Sequence, residues 1–315
     1  MKTLRFVFLL AMPILLWAGS ATTSQDMGFR HMVVPRQQAR PRAAGVASAD
    51  SERVDRLLSS LIPLRSKLSK EDLTLKVARF FVGVPYVAHT LDRNSEETLV
   101  VNMRGMDCTT YLENVIAVLL CIDKKQTCFG YFKQMLQYIR YRQGRLSYEN
   151  RLHYYQWWIV DNQQKGFIRQ IEGPNPPFTA TQTLKINYMS ENYNSYDMLR
   201  NRPERVAALK KMEDRTNGIK VRYIPKNLLN NAALLRKVVR NGDIIAITTR
   251  KRNLDTTHLG FAVWHDDGLH MINASSLKRN GRQVIEPKQT LYQYLMQQPS
   301  STGIRLARLV LPNLR

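Results

Sequence analysis

Three cysteines and six histidines are the side chains of this 315-residue sequence best suited to nucleophilic and acid–base chemistry. Cys108 stands out by its position. It follows Asp107 and precedes Thr109-Thr110-Tyr111-Leu112-Glu113, where an apolar pattern at helical spacing begins: Leu112, Val115, Ile116, Leu119 and Leu120. Asp107 is an N-cap type of residue, so Cys108 is expected in the first helical turn. Unpaired backbone N–H groups and the positive end of the helix dipole favour a thiolate there. The competing reading is a small residue packed under a turn. A thiol nucleophile also needs a base within hydrogen-bond reach and a third group to orient that base.

His31 lies in a polar N-terminal stretch, His89 in a loop near Tyr86, and His153 in an aromatic and basic segment. His258, His265 and His270 fall in a β-like region toward the C-terminus. His258 is the candidate base. In Thr257-His258-Leu259-Gly260-Phe261-Ala262-Val263, the face of His258 also carries Gly260 and Ala262, which leaves room for a helix end. Leu259, Phe261 and Val263 form the opposite, core face. His265 and His270 flank the Asp266-Asp267-Gly268 turn and read as exposed. The orienting group is expected from Met271-Ile272-Asn273-Ala274-Ser275-Ser276. Asn273 is preferred, because an amide oxygen can accept from the imidazole N–H. A tight turn centred on Asp267-Gly268 would place Asn273 opposite Ala262 and Ser275 opposite Gly260. A looser loop would return Asn273 toward His258, so Ser275 stays as the alternative.

The elements that must carry these residues divide into helices first and strands second. A short helix is expected over 51–61. Ser69 with Asp72 resembles a capping box that opens a helix through about Phe81, stopped by Gly83-Val84-Pro85-Tyr86. Thr98 to Met103 reads as a β-like run before the Cys108 helix. Helices follow from Phe132 to Arg140, from about Trp157 to Asn162, and from about Tyr196 to Asp214 with a break near Pro203. Leu228 to Val239 reads as a connecting helix. Strands are expected over 221–224, 244–248, 258–264, 269–274 and 304–311, with a short helix at 290–297. That order is α+β with an antiparallel sheet. Between the helices, Arg140, Arg142, Arg151, His153 and Tyr154 lie in a dense alternation of basic and aromatic residues. This reads either as a packing layer or as a groove wall in which Arg meets carboxylates and aromatic rings meet sugars.

Lys2 and Arg5, the apolar run Phe6 to Trp17 and the small residues Ala18-Gly19-Ser20-Ala21 have the form of a secretory signal peptide. The run is too short to span a bilayer comfortably. Residues 1–21 are therefore expected to be removed. Residues 22–65 are expected to form a flexible linker with the short helix, and 66–315 the functional domain, exported and without a transmembrane segment. The net charge of +22 favours anionic partners, and 44% hydrophobic residues suit a globular chain. No nucleic-acid motif accompanies the charge, so carboxylate-rich cell-wall peptides fit better than nucleic acid. Cys121 and Cys128 could pair only if the helix stops near Asp123; otherwise both are free thiols. The histidines lack metal-ligand spacing, so neither metal nor cofactor is expected.

Several segments together resemble the DUF1460 family of exported bacterial cell-wall amidases, within the NlpC/P60 superfamily of papain-like cysteine hydrolases. They are Gly83-Val84-Pro85-Tyr86-Val87-Ala88, Leu99-Val100-Val101-Asn102, Asp107 to Glu113, Arg140 to Gly144, Asn150 to Tyr154, Tyr188-Met189-Ser190, Gly242-Asp243-Ile244-Ile245 and Leu254 to Gly260. They cover about residues 80 to 310 in the family order. The resemblance implies a papain-like fold, Cys108 as nucleophile and His258 as base. It also implies N-acetylmuramoyl-L-alanine amidase activity on peptidoglycan or released muropeptides, by a monomer in the periplasm. Tyr86 falls on the superfamily tyrosine and would assist the oxyanion beside the Cys108 N–H. The family pattern has His before Ala274-Ser275-Ser276, where this chain has Asn273. Rival readings are a stem-peptide endopeptidase cutting between D-Glu and the diamino acid, a non-catalytic wall-binding module, and an acyltransferase on the same fold.

Overall fold

The computed structural model describes residues 49–314. The expected signal peptide and residues 22–48 of the expected linker lie outside the described residues. Helices come first: α1 (Ala49–Leu61), α2 (Lys70–Phe80), α3 (Cys108–Asp123), α4 (Phe129–Arg140) and α5 (Tyr155–Gln164). Next are β1 (Ile168–Ile171), β2 (Ala180–Thr183), α6 (Tyr188–Glu191), α7 (Pro203–Thr216), β3 (Lys220–Pro225) and α8 (Ala232–Leu235). The chain closes with β4 (Ile244–Thr249), β5 (Thr256–His265), β6 (Gly268–Ala274), β7 (Val284–Ile285), α9 (Leu291–Met296) and β8 (Ser301–Leu309). The strands run in the order β2-β3-β8-β4-β5-β6-β7, with β1 also on β8. Each of these pairings is antiparallel, which is the α+β class expected.

The sheet has a core on each face, because apolar residues alternate along its central strands. Leu259, Phe261, Ile244 and Ile272 face the helical layer. Ala262, Met271, Ile245 and Leu306 face a smaller core closed by Leu291 and Leu295 of α9 and Leu235 of α8. α3 runs through the larger core. Thr110 to Asp123 are all buried, so the helix is enclosed on every side and not along one stripe as the spacing suggested. Tyr111 ties it in place. Its ring meets Phe81 and Phe261 edge-on at 6.1 and 5.8 Å, and its hydroxyl donates to Ala78 O at 3.1 Å. One side chain thus fixes the helix that opens at Cys108 against both α2 and β5.

Several local expectations need correction. Thr98 to Met103 is not a strand. Its polar groups are held by side chains of the helical layer: Arg140 donates to Val100 O at 2.7 Å and Asn114 to Asn102 O at 3.1 Å. Leu228 to Val239 shortens to the single turn of α8, capped by Asn231. The helix expected from Tyr196 starts only at Pro203, where proline at its N-terminus is tolerated. The domain boundary at residue 66 is too late, since Val54, Leu57, Leu58 and Leu61 of α1 belong to the main core. β1, β2 and β7 are four residues or fewer and carry no apolar alternation long enough to read. Cys121, buried, and Cys128, exposed at the N-cap of α4, are both free.

Candidate active site

Asp107 caps α3 as its side-chain chemistry predicts. Its carboxylate accepts from Thr110 N at 2.8 Å, and Thr110 Oγ1 accepts from Asp107 N at 2.9 Å. Cys108 is therefore the first helical residue, and its own N–H stays free of the helix ladder. The approach to Cys108 is fixed from outside. Met106 donates to Pro85 O at 3.1 Å and Val87 to Met106 O at 3.1 Å, which lays Tyr86 alongside the chain entering the helix. Gly105 permits this contact, since a Cβ there would come within 2.8 Å of Val87 Cγ2.

His258 is the third residue of β5. The β4–β5 register passes from Ile247↔His258 to Thr248↔Thr256, so Thr257 is an extra residue immediately before the histidine. Such a bulge re-aims the neighbouring side chain. The β5–β6 hairpin closes through Asp266-Asp267, one residue earlier than expected, with His265 opposite Gly268 and Phe261 opposite Ile272. Asn273 then falls diagonally from His258 on the same face, within reach of a long side chain. The imidazole Nε2 lies 2.9 Å from Asn273 Oδ1. Asn273 Nδ2 donates to Met271 O at 2.9 Å, which turns its oxygen toward the ring. Nε2 is thus the protonated nitrogen, and Nδ1 keeps a free lone pair. Ser275 is engaged elsewhere, its hydroxyl accepting from Asn280 Nδ2 at 2.9 Å.

Cys108 and His258 line one cavity of about 400 Å³. α3 packs on the Phe261 face and not on the Gly260 face as expected, while the imidazole sits at the end of the strand. The backbone N–H of Leu259, next to His258, faces the Cys108 sulfur. Burial and the Asp107 carboxylate push the thiol up to about 12, against the Leu259 N–H and the Thr109 hydroxyl, which pull it down. Burial pushes His258 below the ordinary imidazole value of 6.5, while its hydrogen bond to Asn273 and the charge of Asp107 oppose that. Burial thus opposes the thiolate that the helix N-terminus, the Leu259 N–H and the Thr109 hydroxyl favour.

Tyr86 lines the same cavity, its phenol pushed up to about 12 by burial and by Cys108 and Asp107, so it is a donor. The basic and aromatic segment is mostly scaffolding. Arg140 is buried and bonded to Glu113 at 2.7 Å. Arg142 lies outside this cavity and donates to Glu149 O at 3.0 Å. Arg151 lines the cavity, but its charge is met by Asp92 and its guanidinium lies 4.7 Å over the Tyr148 ring. His153 Nε2 is 2.8 Å from Tyr148 O, and burial, aided by Arg151, keeps the ring neutral. The Tyr154 hydroxyl donates to Glu213 at 2.6 Å and accepts from Met189 N at 2.9 Å. Tyr155, Trp158, Tyr188 and Tyr196 complete the wall; Tyr155 and Trp158 continue the aromatic and basic segment that reads as a groove wall, while Tyr188 and Tyr196 had no role in that reading. The Tyr155 hydroxyl and the Trp158 indole N–H are buried without a hydrogen-bond partner in the protein. A Tyr-Tyr-x-Trp-Trp run beside charged residues was the available signal for the first two.

The α+β fold is shared with solved cell-wall amidase structures. Two structures of an N-acetylmuramoyl-L-alanine amidase from Bacteroides uniformis ATCC 8492 are 37% and 39% identical in sequence. They cover 75% of this chain and 98% and 97% of their own, with TM-scores of 0.67 and 0.68. A DUF1460 protein from Legionella pneumophila str. Philadelphia 1 shares the fold at 20% identity and a TM-score of 0.60, over 84% of this chain and 97% of its own. Residues 76–304 match the AmiA-like family, described as N-acetylmuramoyl-L-alanine amidase-like, and the chain belongs to that family. No curated protein matches the sequence. Among the described residues, no helix is long and apolar enough to cross a membrane.

Proposed function

We propose that this protein is a cysteine-dependent N-acetylmuramoyl-L-alanine amidase of the papain-like NlpC/P60 type. It is exported to the periplasm and acts on peptidoglycan or released muropeptides. The observation that carries this reading is the imidazole of His258, held through Nε2 by Asn273 in the cavity it shares with Cys108. The free Nδ1 takes the thiol proton as sulfur attacks the lactyl carbonyl of the muramic acid. The oxyanion is met by the Cys108 N–H and the Tyr86 hydroxyl. His258 then returns the proton to the nitrogen of L-alanine, the C–N bond breaks, and the peptide departs as an amine. Water, deprotonated by the same imidazole, hydrolyses the thioester and regenerates the thiol.

The cavity wall supports a sugar on the acyl side. Tyr155, Trp158, Tyr188 and Tyr196 offer ring faces, and the unpartnered Tyr155 and Trp158 donors suit hydroxyl or N-acetyl groups. Arg151, His153 and Tyr154 shape that wall, and Arg140 stiffens it through Glu113. The test is digestion of a defined muropeptide by wild type and Cys108→Ala, read by mass spectrometry. The reading predicts free disaccharide plus intact stem peptide, and no products from the variant. A shortened peptide would assign endopeptidase activity. Products from both proteins would remove the thiol from the chemistry. Binding without products would leave a wall-binding module, and an acyl chain retained on Cys108 from a lipid donor would indicate a transferase.

A further inference from the structure

His258 borders two openings. Besides the main cavity, a smaller cleft of about 180 Å³ is lined by Thr257, His258, Lys251, Ser276, Tyr294 and Gln298. Cys108 lines the first opening and not the second. That difference distinguishes the two products of an acyl transfer to sulfur. The acyl group is bonded to Cys108 until water releases it, so it must stay in the cavity that holds the thiol. The amine is protonated by the imidazole and leaves past it, into a space the ring borders and the sulfur does not.

The chemistry of the small cleft differs from that of the large one. Ser276, Gln298 and the Tyr294 hydroxyl offer polar groups. Lys251 is exposed on the β4–β5 loop, and its ammonium pairs with no carboxylate among the described residues. The guanidinium of Arg279 also acts on the Tyr294 phenol. In the main cavity, by contrast, Arg140 and Arg151 are already neutralised by Glu113 and Asp92.

We propose that this second cleft is the leaving-group subsite, and that Lys251 there binds a carboxylate of the departing acidic peptide, one residue beyond the cleaved bond. The inference rests on the amidase reading, in which the leaving peptide begins L-Ala-D-Glu and carries a free carboxylate on its second residue. Lys251 is a specificity residue and takes no part in bond breaking.

The experiment compares two muramoyl peptides that differ only at the second residue, one with free D-Glu α-carboxylate and one with that carboxylate amidated. Wild type is expected to favour the acid in kcat/KM by about tenfold, the size of one charge-assisted hydrogen bond at a partly open site. Lys251→Met should bring the ratio close to one, and Lys251→Arg should restore it. An unchanged ratio in Lys251→Met would overturn the assignment. A second measurement is independent of turnover: binding of the free peptide L-Ala-D-Glu to Cys108→Ala protein, by calorimetry. About tenfold weaker binding in Cys108→Ala/Lys251→Met supports the subsite, and equal binding refutes it. Product masses from the wild-type digest report separately on which bond is cut, so failure of the amidase reading is not confused with failure of the subsite.

Discussion

Asn273 is the most exposing residue to perturb, because the catalytic proposal needs its oxygen and the fold needs little else from it. Its amide makes one bond to the His258 ring at 2.9 Å and one to Met271 O at 2.9 Å, and the side chain is buried. Asn273→Ala leaves a buried N–H without a partner, which costs about 1–3 kcal/mol. If the ring escapes that cost by rotating, Nδ1 leaves the thiol. At about 1.4 kcal/mol per factor of ten, kcat/KM should fall about ten- to a hundredfold, with the far-UV circular dichroism unchanged. Asn273→Asp separates orientation from charge. Burial holds His258 below 6.5, so in wild type the acid limb of the kcat/KM profile should lie below 6.5, where the neutral base first becomes available. A carboxylate against Nε2 favours the imidazolium and should move that limb up by about 1–3 pH units while preserving the orientation. The assay is the pH dependence of single-muropeptide turnover for wild type, Asn273→Ala and Asn273→Asp. Full kcat/KM in the alanine variant, or an acid limb that does not move in the aspartate variant, would refute the role given to His258. Asn273→His, which keeps a nitrogen able to accept from the His258 ring, should retain activity.

Breaking the ion pair beneath the site with Arg140→Met strands Glu113 in the core, and should lower stability by about 3–5 kcal/mol in urea denaturation. Gly260→Ala would put a Cβ 2.6 Å from Ile272 O and 2.7 Å from Met271 Cγ, so the paired strand must shift; a loss of about 1–3 kcal/mol with reduced turnover is expected from thermal melts and the muropeptide assay. The folded-state values of His153 and His258 are both lowered, so on acidification the unfolded chain takes up their protons first. Their contribution to stability is complete above 6.5 and is lost as pH falls below it; the urea midpoint of wild type should drop between pH 7 and 5, and His153→Phe should flatten the slope.

The chemistry was more legible than the scaffolding. Asp107 and the placement of Cys108 are readable because capping is a local event: the acceptor, the donor and the candidate nucleophile lie within four residues. His258 is readable from the alternation along its strand, and that alternation places Asn273 as well once the hairpin register is known. The register was not legible, because a tight turn on Asp267-Gly268 and a looser loop both suit the sequence, whereas the chain closes through Asp266-Asp267 and so sets a different partner opposite Gly260. Thr98 to Met103 shows the limit of propensity. Its Leu-Val-Val run suits a strand, yet Arg140 and Asn114, far away in sequence, satisfy its carbonyl groups. α3 shows the limit of periodicity, since the apolar spacing marks the helix but not that its polar residues Glu113, Asn114 and Asp123 are enclosed as well.

The distribution of cations decides what the large excess of positive charge can mean for substrate binding. Read along the chain, Arg140, Arg142 and Arg151 look like a basic grip for carboxylates. In the fold, Arg140 and Arg151 are met by Glu113 and Asp92, and Arg142 points to backbone and Met212 outside the cavity. A guanidinium already paired in a buried site is a poor partner for a second anion, because re-pairing would strand the first carboxylate. The large cavity therefore offers no free guanidinium to a second anion; it presents rings, phenols and the carboxylates of Asp107 and Asp255, which suits a sugar better than an acidic peptide. Unpaired positive charge lies across His258, at Lys251. If the substrate is a neutral glycan joined to an acidic peptide, that division orients it: the sugar lies against Cys108, the carboxylates lie beyond His258, and the amide between them falls at the sulfur. Reversing the charge with Lys251→Glu should then impair acidic muropeptides far more than amidated ones, and an equal effect on both would remove charge from the account of orientation.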